Sequence, residues 1–259
     1  MDDLIQLSTL RIEEQKANRK LRAIAGARSS FIAHISHELR TPLAGMIGSI
    51  RLLSQFKMDD TAGELVQLLN RSSLRLLDIL DDTSNLSQID SGAFRIEQEE
   101  VDIEQIAADI VDLYKPLALQ KSVHVTWNST LPGQIYLADR KALVAVLDSL
   151  FANAVKFTDA GSAKILLSHD NYENVVIHVV DTGVGICPMQ QANLFDEFEQ
   201  AGPRIARKYG GTGLGMAMVR RLVELMDGDI ELSSEQGSGT TITITLPLEP
   251  VESRKPRTS

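Results

Sequence analysis

Mainly apolar side chains recur at alternating spacings of four and three residues from Leu65 to Leu86. This spacing places them on one face of an α-helix. A less regular stripe follows residues 4–56, which read as one long helix with a break near Pro42, and residues 57–63 read as the turn between the two helices. Two antiparallel helices cannot bury two such stripes alone, so the pattern predicts that a second copy of the chain completes a four-helix bundle.

The apolar pattern changes in the second part of the chain. Residues 91–100 read as a linker, and helices then alternate with strand-like runs. Asp102, followed three residues later by Gln105, is typical of a helix start, and Asp139 is placed to cap another helix. This mixture predicts an α/β sandwich over residues 100–248. The predicted strands are 123–128, 163–169, 175–181, 229–234 and 240–247.

Composition excludes several classes of function. The chain has 259 residues and a net charge of −9, whereas nucleic-acid binders usually show a basic excess. The single cysteine, Cys187, excludes an internal disulfide framework and favours a reducing, cytoplasmic setting. No run of about 18 apolar residues occurs, and the first residues lack the basic region of a signal peptide. We therefore expect no nucleic-acid partner and no membrane contact by this segment.

Two short motifs in the predicted sandwich suit a nucleotide. Asn153, near a helix end, offers an amide oxygen of the kind that Mg²⁺ accepts, and Lys156 on the same face could meet phosphate charge. Asp181 follows a β-branched run, and a buried carboxylate there needs a donor such as the exocyclic amine of adenine. The motif thus predicts ATP rather than GTP. The alternatives are a solvated helix face for the first motif and a capped turn for the second.

A glycine-rich segment, residues 210–215, opens a helix that begins near Gly213. Glycines let the backbone approach phosphates, and the free N–H groups at a helix start attract anions. The segment is not a Walker A loop, because no Gly-Lys-Ser/Thr follows, and no strand precedes it as a Rossmann fingerprint requires.

Residues 194–198 read as a short helix, and we interpret Phe195 as a packing residue. The polar loop that follows contains Arg204, Arg207 and Lys208. A basic loop beside a phosphate site could act as a lid.

Four motifs therefore occur in a fixed order: N-A-x-K-F, D-T-G-V-G-I, L-F-D-E-F and G-G-T-G-L-G. Together they closely resemble the ATP-binding domain of sensor histidine kinases, within the wider GHKL ATPase superfamily. The resemblance implies that Asn153 holds Mg²⁺, that Phe157 packs on adenine and that Asp181 accepts a hydrogen bond from the adenine amine. The implied nucleotide-binding residues are Asn153, Lys156, Phe157, Asp181, Gly183, Gly185, Ile186, Arg207, Lys208, Thr212, Gly213, Leu214 and Gly215.

The same resemblance assigns the glycines and the lid. Gly183 and Gly185 would shape the adenine pocket. Residues 212–215 would flank the phosphates. Lys208 or Arg207 would reach the γ-phosphate.

The chain departs from the family pattern at Ser149, four residues before Asn153. Histidine kinases usually have a second Asn there, and the chaperone and topoisomerase relatives have a Glu that activates water. Serine is a poor base, which argues against direct ATP hydrolysis by that route and leaves open a slower kinase. Met216, where the family favours Leu, is a milder change.

Two histidines lie on the first predicted helix. At about 100° per residue, Phe31, Ile35 and Leu39 form one stripe. His37 lies roughly 160–240° from each of them and faces water, whereas His34 lies nearer the edge of the stripe. A lone helical histidine is more often structural or plain surface than functional. The surrounding sequence must therefore decide its role.

Residues 36–43, S-H-E-L-R-T-P-L, resemble the phosphoacceptor box of the dimerising histidine kinase domain nearly residue for residue. The resemblance implies that His37 is phosphorylated and that Glu38 takes the proton of the other ring nitrogen. It also implies that Thr41 positions a water that removes phosphate from a partner. The alternatives are a surface charge for Glu38 and an ordinary residue before Pro42 for Thr41.

We therefore predict a helical hairpin that forms a dimeric four-helix bundle, followed by an α/β sandwich of the GHKL type. The expected function is the cytoplasmic kinase core of a two-component system, a homodimer that uses ATP and Mg²⁺ to phosphorylate His37. The phosphoryl group would then pass to an aspartate of a response-regulator receiver domain, and phosphatase activity on that partner is a further expectation. The predicted segments are a coiled-coil signalling helix (1–24), a dimerisation and phosphotransfer domain (25–91), an ATP-binding catalytic domain (100–248) and a disordered tail (249–259).

Two other classes of function stay open at this point. One is a GHKL ATPase with a chaperone or clamp role, against which the phosphoacceptor box and Ser149 both argue. The other is a non-catalytic dimeric scaffold, which only Ser149 supports.

Overall fold

The computed structural model divides the chain into two compact units, one ending at Arg95 and one beginning at Ile96. The predicted segment 1–24, the phosphoacceptor candidate His37 and residues 252–259 lie outside the described residues. The described residues are 32, 35–36, 38–54, 56, 60–131, 133–197, 199 and 212–251.

The first unit contains two helices, α1 over the helical residues 38–53 and α2 over Asp60–Asp90. The predicted break near Pro42 is wrong, because the helix continues through that residue. A proline removes one backbone N–H, and the hydrogen bonds on either side can hold the helix past it. The predicted turn at 57–63 is too long, since α2 begins at Asp60.

Polar contacts hold α1 beside α2. The Arg40 guanidinium pairs with the Asp81 carboxylate at 2.5 Å, and the Ser36 hydroxyl donates to the Leu80 carbonyl at 3.4 Å. Both partners of the ion pair are nearly half exposed, so the pair sets register more than it stabilises. The apolar side chains buried in this unit are Leu43, Ile47, Ile50, Leu86 and Ile89.

The second unit is built from helices and strands. Its described helices are α3 (Ile103–Gln120), α4 (Arg140–Phe157), α5 (Pro188–Gln191) and α6 (Gly215–Leu225). Its described strands are β1 (Glu99–Asp102), β2 (Val123–Ser129), β3 (Ile135–Ala138), β4 (Gly161–His169), β5 (Val175–Asp181), β6 (Asp229–Glu235), β7 (Gly239–Leu246) and β8 (Glu249–Pro250).

A five-stranded sheet with the order β2-β4-β5-β7-β6 forms one layer, and α3, α4 and α6 pack against it. Only the β2–β4 pair is parallel among the described pairs of this sheet. The sheet contributes fully buried side chains to the core at Ile165, Ile177 and Ile244. The five predicted strands lie within two residues of β2, β4, β5, β6 and β7, and the predicted α/β sandwich is confirmed.

The two predicted helix caps are also confirmed. Asp102 accepts from the backbone N–H of Gln105 at 3.0 Å, and Asp139 accepts from that of Ala142 at 2.9 Å. Asp139 also accepts from the backbone N–H of Glu97 at 2.9 Å. It therefore holds the first residues of this unit as well as the start of α4. Each cap satisfies N–H groups that a helix start leaves unpaired.

A second, three-stranded sheet with the order β1-β3-β8 is absent from the sequence-based prediction. Residues 99 and 100 of the predicted linker belong to β1, and residues 249–250 of the predicted disordered tail form β8. These strands are short. Neither β1 nor β8 alternates in burial, and β3 alternates over only four residues.

Among the described residues, no helix is long and apolar enough to cross a membrane.

Candidate functional site

Asp181 is the last residue of β5 and is half-buried. Its Oδ1 accepts from the backbone N–H of Gly183 at 2.7 Å. Burial raises the pKa of the Asp181 carboxyl, and this outweighs the lowering by the backbone N–H groups of Gly183 and Thr240. The ionised carboxylate is therefore costly here, and a ligand that donated a hydrogen bond to it would offset part of that cost.

The loop after Asp181 requires two of its glycines. A Cβ on Gly183 would lie 2.5 Å from the Phe157 carbonyl oxygen and 2.8 Å from Asp181 Oδ1. Gly185 has a φ of +61°, and a Cβ there would overlap the carbonyl oxygen of Glu235. Larger residues would push this loop away from both neighbours, so the glycines set the shape of the corner next to Asp181.

The C-terminal end of α4 supports the same corner. The Val184 N–H donates to the Phe157 carbonyl at 3.2 Å, and the Lys156 ammonium lies 5.1 Å from the centre of the Phe157 ring. The Lys121 ammonium donates to the carbonyls of Val155 and Lys156, both at 2.7 Å. A cation at this helix end satisfies carbonyls that have no partner within the helix.

One turn before Phe157, the polar face of α4 meets the start of α6. The Asn153 side-chain amide nitrogen lies 3.5 Å from the sulfur of Met216. A Cβ on Gly215, the first residue of α6, would lie 3.1 Å from the Ser149 hydroxyl. Residues four apart on a helix lie on one face, so α4 joins the Asp181 corner to the first turn of α6.

The start of α6 has the geometry expected of an anion site. Thr212 Oγ1 accepts from the Leu214 N–H at 3.1 Å, and Gly213 has a φ of +77°. Leu214 is only 1% exposed, which anchors the turn to the core. The first N–H groups of this 11-residue helix have no intrahelical acceptor, and they attract negative charge.

The structure thus brings together most of the predicted nucleotide-binding residues, from the Asp181 loop through α4 to α6. Arg207 and Lys208, like the first two glycines of the 210–215 segment, lie outside the described residues. Glu38 and Thr41 are exposed on α1 in the other unit.

Phe195 occupies a different structure from the one predicted. Residues 192–195 form turns, and the short helix lies earlier, at Pro188–Gln191. Phe195 is half-buried, with the Arg220 guanidinium 5.4 Å from its ring centre. Its packing therefore includes a cation on α6.

Three residues near the site were missed from the sequence: Lys121, Gln191 and Ser234. The Lys121 ammonium donates to the Lys156 carbonyl, and the Gln191 amide donates to the Ile186 carbonyl. The Ser234 hydroxyl accepts from the Ile186 N–H. No local motif marks such contacts, because the partners are far apart in the chain or in a loop without a regular pattern.

Comparisons with known proteins agree with this architecture. Residues 27–92 match the family model of the His Kinase A (phospho-acceptor) domain. Residues 138–250 match the family of histidine kinase-, DNA gyrase B- and HSP90-like ATPases. The two matches together cover more than half of the chain and fall in the two different units.

Relatives and solved structures point the same way. The autoinducer 2 sensor kinase/phosphatase LuxQ of Vibrio cholerae is 36% identical over 254 residues, which are 96% of this chain and 30% of LuxQ. The sensor histidine kinase RcsC of Escherichia coli is 36% identical over 244 residues, which are 93% of this chain and 26% of RcsC. The chain thus spans less than a third of the length of these relatives.

Among solved structures, full-length ShkA in complex with AMPPNP superposes with a TM-score of 0.74 at 32% identity. The match covers 86% of this chain and 46% of ShkA. The Acinetobacter baumannii histidine kinase AdeS has a TM-score of 0.59 at 24% identity, covers 81% of this chain and 96% of its own, and supports the fold. With a phosphoacceptor-type helical unit followed by a GHKL-type ATPase unit, the chain belongs to the sensor histidine kinases and comprises their kinase core.

Proposed function

We propose that this chain binds ATP with Mg²⁺, transfers the γ-phosphoryl group to His37 and passes it on to an aspartate of a response-regulator receiver domain. The main supporting observation is the half-buried Asp181 carboxylate, held beside a glycine loop and connected through α4 to the start of α6. This arrangement has an acceptor at one end and an anion-attracting helix start at the other, which suits an adenine nucleotide.

Adenine recognition follows from the charge of Asp181. The exocyclic amine of adenine donates hydrogen bonds, so it would satisfy the carboxylate that burial makes costly. The carbonyl of guanine at the same place would face the carboxylate with a second acceptor. ATP should therefore bind better than GTP.

The donor set at Asn153 fits Mg²⁺. The amide nitrogen of Asn153 is directed at the Met216 sulfur, which leaves the amide oxygen as the group available to a hard cation. Mg²⁺ keeps several waters and binds nucleotide phosphates with few protein ligands, so one amide oxygen is sufficient. When bound, the ion would neutralise phosphate charge during transfer.

The phosphates would lie at the start of α6. The N–H groups of its first turn present positive dipole ends, and Gly213 forms the turn that precedes them. Lys208 or Arg207 would approach the γ-phosphate from the loop that precedes this turn. Positioning and charge neutralisation are the main contributions that a protein makes to phosphoryl transfer.

His37 would accept the phosphoryl group as a neutral imidazole. A nitrogen–phosphorus bond forms while the bond from the γ-phosphorus to the oxygen of ADP breaks. The proton on the other ring nitrogen passes to Glu38, which is exposed on α1. Thr41, four residues after His37 in the sequence, would act only in dephosphorylation of the receiver partner by orienting a water.

A homodimer would complete the first unit. Its helices expose large apolar side chains on part of their surfaces, which a second copy would bury in a four-helix bundle. These exposed residues include Leu39, Met46, Leu53, Leu65, Leu69 and Leu76. The predicted domain bounds, 25–91 for this unit and 100–248 for the ATP-binding unit, are part of the same proposal.

Incubation with ATP labelled at the γ-phosphate tests the proposal. The protein should acquire a label that acid removes and base does not, as phosphohistidine does, and labelled GTP should give much less. Steady ATP turnover without any protein-bound label would support a clamp-type ATPase instead. A failure to bind nucleotide would support a scaffold.

A further inference from the structure

Two side chains outside the family motifs hold both backbone groups of Ile186. The Ile186 N–H donates to the Ser234 hydroxyl at 2.9 Å. The Gln191 side-chain amide donates to the Ile186 carbonyl at 2.6 Å and to the Ser234 carbonyl at 2.9 Å. All three residues are half-buried, so water competes only in part for these bonds.

Ser234 extends this network towards Asp181. Its hydroxyl donates to the Gly239 carbonyl at 2.9 Å and lies 3.0 Å from the Thr240 hydroxyl. Because a serine hydroxyl has one hydrogen, the Thr240 hydroxyl donates in the second contact. The backbone N–H of Thr240 in turn donates to the Asp181 carboxylate. Ser234 therefore links Ile186 to the strand that faces the adenine acceptor.

The turn between β6 and β7 adds two further contacts to the same loop. The Gly237 N–H donates to the Val184 carbonyl at 2.8 Å. Gly185 lies directly against the carbonyl of Glu235, with no room for a side chain. Residues 234–240 thus contact Val184, Gly185 and Ile186 in turn. Among the described residues, Gln191 and Ser234 are the ones that bond Ile186 through their side chains.

We propose that Gln191 and Ser234 are positioning residues for adenine recognition. They fix Ile186, and with it the loop that shapes the adenine pocket beside Asp181, against the β6–β7 hairpin. They have no contact with Asn153 or with the start of α6 among the described bonds. Their loss should therefore weaken binding of the base and leave the phosphate end in place. The inference rests on the proposed ATP site and adds residues that determine its specificity.

Gln191→Glu is the sharpest test, because it keeps the shape and replaces a donor with an acceptor that faces two carbonyls. The loss of two hydrogen bonds should raise the Kd of Mg-ADP by about tenfold or more. The ratio of ATP to GTP affinity should fall at the same time, because the loop no longer fixes the base. Gln190→Glu is the matched control, since the side chain of Gln190 makes none of these bonds, and it should leave both values unchanged.

Ser234→Ala allows a second test, which measures hydrogen exchange at the Ile186 amide and needs no nucleotide. In the ligand-free protein the Ile186 amide should exchange its hydrogen faster than in wild type, and Ser234→Thr, which keeps the hydroxyl, should restore slow exchange. Thermal unfolding of each variant shows whether the second unit is intact.

The outcomes separate the two claims. Folded Gln191→Glu with wild-type Mg-ADP affinity and wild-type base preference would overturn the positioning role. Unchanged exchange at Ile186 in Ser234→Ala would overturn the link through Ser234. If the wild-type chain itself bound no adenine nucleotide, the proposed function would fail and this inference with it.

Discussion

The two units of this chain differ in how fully their regular apolar patterns are buried. In the second unit Ile165 and Ile177 are fully buried between sheet and helices. In the first unit Leu65 is 56% exposed and Leu69 is 55% exposed, although both lie on a regular helical stripe. A sandwich of a sheet and helices encloses its own core, whereas the two helices of a hairpin cannot cover both of their apolar stripes. We therefore expect the first unit, and not the second, to require a partner copy.

This difference in burial fits the proposed roles of the two units, a nucleotide site in the second and a phosphoacceptor in the first. A nucleotide site needs groups held within fractions of an ångström, and the enclosed second unit supplies such rigidity through backbone contacts. A phosphoacceptor must be reached by a second domain and by a receiver, so exposure of the α1 surface suits it. The four predictions below test this contrast.

The largest expected effect is on assembly of the first unit. Leu69→Glu places a charge in the stripe that a second copy would bury, and two copies of the change should weaken association by about a thousandfold. Sedimentation should show a monomer at concentrations where wild type is a dimer. Leu119→Glu, at a residue of α3 that is 78% exposed, is the control and should leave the dimer unchanged. If Leu69→Glu dimerised as well as Leu119→Glu, the stripe on α2 would not be the surface that a second copy buries.

The second prediction concerns Asp181, where binding and stability should change in opposite directions. Asp181→Asn should weaken ATP binding by about 10- to 100-fold, because the new side-chain NH₂ faces the adenine amine as a second donor. Calorimetry with Mg-ATP measures this loss. An unchanged affinity would contradict the assignment of Asp181.

The same variant should be more stable than wild type without nucleotide at neutral pH. Burial raises the pKa of Asp181 in the folded protein, so its contribution to stability is fully present below the ordinary value of 3.8. That contribution is lost as the pH rises through the raised pKa, and Asn avoids this loss. The difference in Tm between variant and wild type should therefore shrink as the pH is lowered. A wild type that is the more stable at neutral pH would contradict the sign of the shift.

Much of the second unit could be predicted from sequence, because its long strands and its helix caps have local signals. The strand β5 was predicted at its exact residues, and Asp102 and Asp139 cap helices as expected. The continuity of the helix at Pro42 was not predicted, because a local rule about proline does not include the hydrogen bonds around it. The strands β1, β3 and β8 were missed because each is at most four residues long and pairs with segments distant in the chain.

The candidate site divides in the same way. Asp181 and Asn153 could be found because their motifs are local, and the structure places both at the expected element ends. Ser234 could not, since the sheet brings it to Ile186 from 48 residues away, and Gln191 could not, since it lies in a loop without a regular pattern. Their side chains have no distinctive neighbours in the sequence.

A smaller effect is expected where α4 meets α6. Gly215→Ala should weaken Mg-ATP binding a few-fold, because the new Cβ would lie 3.1 Å from the Ser149 hydroxyl and shift the first turn of α6. Ser149→Ala in the same chain removes that hydroxyl and should restore part of the affinity. Calorimetry of both single variants and the double variant measures the coupling. If the two changes are simply additive, Ser149 does not position α6.

The most direct test of the account is the identity of the residue that receives phosphate. His37→Gln should abolish the acid-labile label from ATP, while His34→Gln, three residues earlier in the sequence, should retain most of it. Both variants should bind Mg-ATP as wild type does, because the nucleotide site lies in the other unit. Loss of label only in His37→Gln is the predicted result. Label that persists in the His37→Gln chain would contradict the proposal that His37 accepts the γ-phosphoryl group.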